Sequence, residues 1–206
     1  MADEEHRIEK FWAWFVVRQA EFSRLAGPDE PFWDQALEQL KRVDEHFLFE
    51  LSRDRHSVRE LIVTAEGHVS SFPTAEKLVR LAPRLEGWSF VALKPAQGFE
   101  FTTTYEGTCF DPRQMWFLPM VRESHPGDLG IRVAVPGLDR IDRSEAHNAI
   151  LIILDTGLGE RSAALDLQHT EVAEIPTDPE SLGYMELSEL ANYIAWRKKH
   201  FASPSA

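Results

Sequence analysis

Apolar residues along this chain follow two rhythms, one helical and one strand-like, and the order of the rhythms occurs twice. Ile8, Phe11, Trp12, Phe15 and Phe22 recur at the three-and-four spacing of a single helix face, and Gly27-Pro28 ends that helix. Pro31, at a first-turn position behind Asp29 and Glu30, opens a second helix through about Glu45, with Trp33, Ala36, Leu37, Leu40 and Val43 as its stripe. The short connection makes the two helices antiparallel neighbours. Phe47 to Leu51 and Val58 to Thr64 then read as strands around a polar connection at Asp54 to His56. A short helix carrying Ala75, Leu78, Val79 and Ala82 lies between Pro73 and Pro83, and Trp88 to Leu93 closes the group as a strand.

The same order returns downstream. Met115 to Val121 and Leu129 to Val135 read as a strand pair separated by His125, Pro126 and Gly127. Asp142 and Glu145 have capping-box spacing for a helix through Leu154, Gly157 or Gly159 supplies its stop, and Ala164 to Val172 is the closing strand. Phe47 answers to Met115, Val58 to Leu129, Ala75 to Ala146 and Trp88 to Ala164, offsets of 68, 71, 71 and 76 residues. The reading is an α+β fold: a mixed, largely antiparallel sheet of about six strands built from two ββαβ repeats, covered by the N-terminal helical hairpin and a C-terminal helix, Ser188 to His200.

The expected organisation is one globular domain over 1–201. It comprises the hairpin (1–45), the first ββαβ unit (46–95), a junction (96–114), the second unit (115–175) and the C-terminal helix region (176–201), with 202–206 as a mobile tail. Ala146, Ala149, Ile150, Leu151, Ile152, Ile153 and Leu154 give the second-repeat helix a wider apolar surface than an exposed helix has, which places it centrally. Pro119 marks its strand as an edge or a bulge. Six Trp and thirteen Phe predict a core rich in rings. Trp12, Trp14 and Phe15 on the first helix belong to it in this reading.

Charge narrows the partners. Asp plus Glu number 34 against 22 Lys plus Arg, a formal charge of −12. Such a surface repels phosphate backbones, and the longest basic run, Arg197 to Lys199, suits the end of the last helix, so no nucleic-acid partner is expected. One cysteine, Cys109, allows neither an intramolecular disulfide nor a cysteine zinc site, and a buried apolar role is expected for it. The charged first ten residues and the lack of a long apolar run point away from a membrane and toward the cytoplasm. Neither a cofactor nor a metal is expected, because no His-Glu-x-x-His or phosphate-loop spacing occurs.

Leu61 to Gly67, Phe72-Pro73, Leu78-Val79, Ala82-Pro83, Leu85, Trp88 and Val91 to Pro95 resemble the signature of a family of uncharacterised bacterial proteins. Gly98-Phe99 and Ile153 to Glu160 look similar as well, so the likeness spans roughly residues 45–175. The resemblance implies a bacterial cytosolic globular protein and brings no catalytic residue with it.

The junction is the stretch least explained by the repeat. Phe99, Phe101 and Tyr105 alternate with Glu100, Thr102 and Thr104, then come Glu106, Cys109 and Asp111. A linking strand with one buried face accounts for that alternation. As a binding site, Phe101, Tyr105, Glu106, Asp111 and Trp116 would offer ring faces and carboxylates to a small cationic or aromatic ligand. Glu106 and Asp111 are read first as turn carboxylates capping backbone amides. His68, His147 and a His169–Glu171 pair on one strand face are further polar positions, read first as hydrogen-bonded or solvated.

No catalytic residue is assigned. The acidity and the aromatic content favour a non-catalytic protein-interaction module, adaptor or immunity-like, for a basic protein partner. The alternative is a small-molecule enzyme or ligand sensor with its pocket between the repeats. Open sheet edges would permit a homodimer.

Overall fold

A computed structural model describes residues 2–25, 27–28, 30–52, 58–122 and 125–201. The fold is α+β, and the chain divides into two compact units, Met1–Lys94 and Pro95–Ala206. The boundary falls where the first repeat was expected to meet the junction. The expected connection at Asp54 to His56 and the tail 202–206 lie outside the described residues.

In the first unit, α1 (Ala2–Arg24) and α2 (Pro31–Lys41) precede β1 (Leu48–Leu51), β2 (Arg59–Thr64), α3 (Phe72–Arg80) and β3 (Trp88–Ala92). β1 is antiparallel to β2, and β2 is parallel to β3 across the α3 crossover. Side chains alternate along a strand, so Phe49, Leu61 and Val63 share the buried face. α1 buries Ile8, Phe11, Trp12, Phe15 and Phe22, with the Trp12 ring 4.6 Å from Phe90 and the Phe15 ring 5.0 Å from Trp88. The buried Trp12 indole still needs an acceptor, and its N–H donates to the Leu78 carbonyl at 2.9 Å, tying α1 to α3. At the end of α1 the Arg59 guanidinium donates to the carbonyls of Phe22, Ser23 and Leu25, acceptors that a helix C-terminus leaves open.

The second unit begins with a hairpin, β4 (Thr103–Tyr105) and β5 (Thr108–Phe110). The linking strand expected over the junction is thus two strands. Glu106 and Gly107 both have positive φ, 46° and 81°, the two-residue turn whose twist matches paired strands. Then follow β6 (Trp116–Arg122), β7 (His125–Val135), α4 (Arg143–Leu158), α5 (Glu160–Asp166), β8 (His169–Glu174), β9 (Met185–Glu186) and α6 (Leu190–Phe201). The sheet order is β8-β7-β6-β9; β6 is antiparallel to β7, and β7 is parallel to β8.

Both units therefore share one strand order: an antiparallel pair, then a helical crossover to a strand parallel with the pair's second member. The single six-stranded sheet is corrected to two separate sheets plus the small hairpin. The offset of 71 is corrected too. Leu129, Ile131, Val133 and Val135 face the second core as Leu61 and Val63 face inward in the first unit, so the strands correspond at an even offset. An odd one would turn every side chain to the other face.

Several expected boundaries move. His125 to Gly127 lies inside β7, and the connection shifts to 123–124, outside the described residues. Residues 160–166 are helical, which shortens the closing strand to His169–Glu174. Gly157 does not stop α4; Gly159, with φ 78°, breaks it from α5. The last carbonyls of α4 are instead met by the junction, since the amides of Gln97 and Gly98 donate to Thr156 and Gly157 at 3.0 and 3.1 Å. α4 is not wholly central either: Leu151 and Ile152 are 45% and 44% exposed. Pro119 tolerates its place because β9 pairs only with Trp116 and Phe117, and the ladder shifts between Met120 and Arg122.

Candidate functional site

The junction residues are brought into structural roles. Phe101 and Tyr105 pack against the second core, and the Tyr105 hydroxyl accepts from the Asn148 side chain at 3.4 Å. Glu106 is exposed in the hairpin turn. Asp111 begins one residue past the Thr103–Phe110 pair, at the far end of the hairpin, so roughly 10 Å or more of strand separates the two carboxylates' backbones. They do not form an acid–base pair. Asp111 accepts from the Arg113 amide at 3.1 Å, from the Arg113 guanidinium at 2.8 and 2.9 Å and from Gln114 at 3.2 Å. The Arg113 hydrogen bonds outweigh desolvation and hold the Asp111 carboxyl down at about 2. Trp116 lies on β6, in register with Ala134 and Glu186. Cys109 is exposed, which corrects its expected burial: along β5 its neighbour Phe110 takes the inward position.

A second polar cluster stands at the carboxyl ends of β2 and β3, and most of its members escaped the sequence reading. Asp44 accepts from the His46 amide at 3.0 Å, and its Oδ1 lies 3.1 Å from His46 Nδ1. Ser71 Oγ is 3.3 Å from the same nitrogen, and the His46 and His68 rings lie tilted by 31° with centroids 3.9 Å apart. Partial burial pushes the Asp44 carboxyl up, but the His46 amide, the Ser71 hydroxyl and the His46 ring together hold it below its usual value. Beside it Glu66 accepts from Lys94 at 3.1 Å, and the Glu66 amide donates to Thr64 Oγ1 at 3.0 Å. Glu66 and Leu93 have φ of 49° and 65°, conformations that non-glycine residues hold only when their surroundings fix them.

Ser71, His46 and Asp44 are the residue types of a hydrolytic triad, but the geometry is not that of one. A relay needs the hydroxyl on one ring nitrogen and the carboxylate on the other. Here both meet Nδ1, and Ser71 is only 3% exposed. The arrangement fastens two chain connections together, α2–β1 and β2–α3. No periodic signal links Asp44 to Ser71, 27 positions apart, so only folding brings them into contact.

The third site surrounds the start of β8. Gln168 is anchored there, receiving the Leu129 amide at 2.6 Å and donating to the Leu165 carbonyl at 3.0 Å. A depression of about 460 Å³ on the helix side is lined by Leu151, Leu154, Leu167 and Thr170, with His147 and His169 at it. Another, of about 370 Å³, is lined by Met120, Asp128, Gly130 and His169. Gly130 leaves room for it, since a Cβ there would sit 3.4 Å from the His169 Cβ. The expected His169–Glu171 pair is present, Nε2 to Oε2 at 3.7 Å, and Glu171 also accepts from Arg132. That Arg132 hydrogen bond, opposed by slight desolvation, lowers the Glu171 carboxyl.

Charge is distributed unevenly around this site. Residues 95–206 carry 17 acidic and nine basic side chains, and residues 162–196 contain seven acids with neither Lys nor Arg. Within that run Glu174, Asp178, Glu180, Glu186 and Glu189 are exposed, and Leu182, 59% exposed, projects among the loop acids. The run supplies both edge strands of the second sheet, β8 and β9.

Among the described residues, no group of three His, Cys, Asp or Glu side chains could hold a metal ion, and no helix is long and apolar enough to cross a membrane. Comparison of the chain with family models, with curated proteins and with solved structures found no match.

Proposed function

We propose that this is a non-catalytic binding protein of the bacterial cytoplasm whose second unit takes a basic segment of another protein. The observation that carries the reading is the stretch 162–196, which holds seven carboxylates and no Lys or Arg of its own; Asp166 and Glu171 pair with Lys198 and Arg132, and Glu174, Asp178, Glu180, Glu186 and Glu189 stand exposed. Like charges so gathered raise the local potential, speed the approach of a cationic partner and repel an acidic one. Exposed Leu182 beside Asp178 and Glu180 adds an apolar anchor of the kind that turns steering into a lasting contact. A lone free cysteine suits the cytoplasm. An adaptor or immunity-type role fits that chemistry.

The test is a titration of ¹⁵N-labelled protein with a ten-residue peptide alternating Lys and Val. Binding should perturb amides within 162–196 and weaken steeply with salt. The triple variant Glu174→Lys, Asp178→Lys, Glu180→Lys should lose about tenfold or more in affinity. Equal affinity of the wild type and this variant would defeat the reading.

A further inference from the structure

We propose that β8 receives the partner's basic segment as an added strand. This rests on the reading above and goes further, naming the place and the mode of binding. Among the described residues β8 ends the order β8-β7-β6-β9, so its outer side is a sheet edge, where backbone donors and acceptors can pair with another chain.

The two faces beside this edge differ in chemistry. An extended peptide sends alternate side chains to opposite faces of the sheet it joins. On the helix side they meet the apolar depression formed by Leu151, Leu154 and Leu167, which accounts for the exposure of Leu151. On the other side they meet the depression that Gly130 opens, with Asp128 and His169 on its wall and the Arg132–Glu171 ion pair next along the strand. The segment that fits is therefore extended, with small apolar residues alternating with Lys or Arg.

Two observations sharpen the fit. The Arg143 guanidinium already donates to the Val172 carbonyl at 3.4 Å, so the added strand pairs along the first half of β8, where both depressions lie. A second copy of this chain is a poor occupant, because two-fold pairing of two β8 strands brings either Glu171 or Glu174 of one copy toward the same residue of the other.

The experiment compares three ten-residue peptides on the full chain by calorimetry and amide exchange: alternating Lys and Val, the same peptide N-methylated on alternate residues, and alternating Glu and Val. The first should bind and slow amide exchange at residues 168–171. N-methylation keeps the charge but removes one row of donors, and should weaken binding by about tenfold or more. The acidic peptide should not bind. Leu151→Lys, a change at an exposed position, should also weaken the first peptide by about tenfold. Equal binding of the methylated and unmethylated peptides would overturn strand addition while leaving a basic partner in place. Failure of both to bind would remove the basic partner as well. A dimer held through β8 in the free protein would show that the edge belongs to a second copy and would overturn the proposal.

Discussion

The ring of Phe99 lies where a side chain on Gly157 would begin, with its Cζ 2.6 Å from the position a Cβ would take. Gly157 is inside α4, with helical residues on both sides, so its lack of a side chain serves packing and not helix termination. Phe99 is 4% exposed, and the neighbouring amides of Gln97 and Gly98 hold the junction against the end of α4. One glycine thus lets a helix end, a capping segment and a core ring occupy the same place.

Gly157→Ala tests that contact by its sign. In an open helix the change would stabilise by about 0.5–1 kcal/mol; here overpacking against Phe99 should destabilise by about 1–3 kcal/mol. Denaturant unfolding gives the number, and Gly157→Ala with Phe99→Leu should recover part of the loss, since residues in contact couple.

Arg59→Met should fray the end of α1. The guanidinium serves three carbonyls there, and removing it should cost about 2–3 kcal/mol and speed amide exchange in the last turn of α1. A variant as stable as the wild type would show that solvent serves those carbonyls equally well.

Ser71→Ala separates a structural cluster from a reactive one. Loss of the buried hydroxyl should lower stability by about 1 kcal/mol through Asp44 and His46, and should leave binding of the Lys–Val peptide unchanged. Thermal unfolding and calorimetry on the same preparation read both quantities.

Asp111 imposes a pH dependence whose direction is set by its lowered pKa. The folded carboxyl titrates at about 2 against an ordinary value of 3.8, so its stabilisation is complete above roughly pH 4 and is lost as pH falls through 2. Asp111→Asn should therefore be less stable than the wild type at neutral pH, and the difference should close between pH 4 and pH 2. A gap that stays constant across that window would show that the hydrogen bonds at Asp111 do not depend on its charge.

The α+β class and most of the elements were legible because periodicity and caps are local. Ile8 to Phe22 declares its helix face, Pro31 its helix start, and Asp142 accepts from the amides of Ser144 and Glu145 as its spacing from Glu145 implied. The strand order shared by the two units was likewise written as an order of rhythms. The exceptions have local causes of their own. Residues 160–166 hold only the consecutive Ala163, Ala164 and Leu165 as apolar positions, too few to distinguish strand from helix, and two-residue β9 has no period at all.

The candidate sites were less legible, because each is made by chain returning to chain. Ordinary side chains mark Asp44 and Ser71 in the sequence, and only the packing of β1 beside the β2–α3 connection sets them around His46. His147 and His169 share a depression because α4 crosses back over the strand that follows it. By itself the sequence determined most of the elements, their order and the surplus of negative charge, since each depends on neighbouring residues or on simple counting. The tertiary structure alone decided that the strands form two sheets and that β8 is an edge. It also decided which face each depression opens on, because hydrogen bonding between strands and contact across long separations exist only once the backbone has closed on itself.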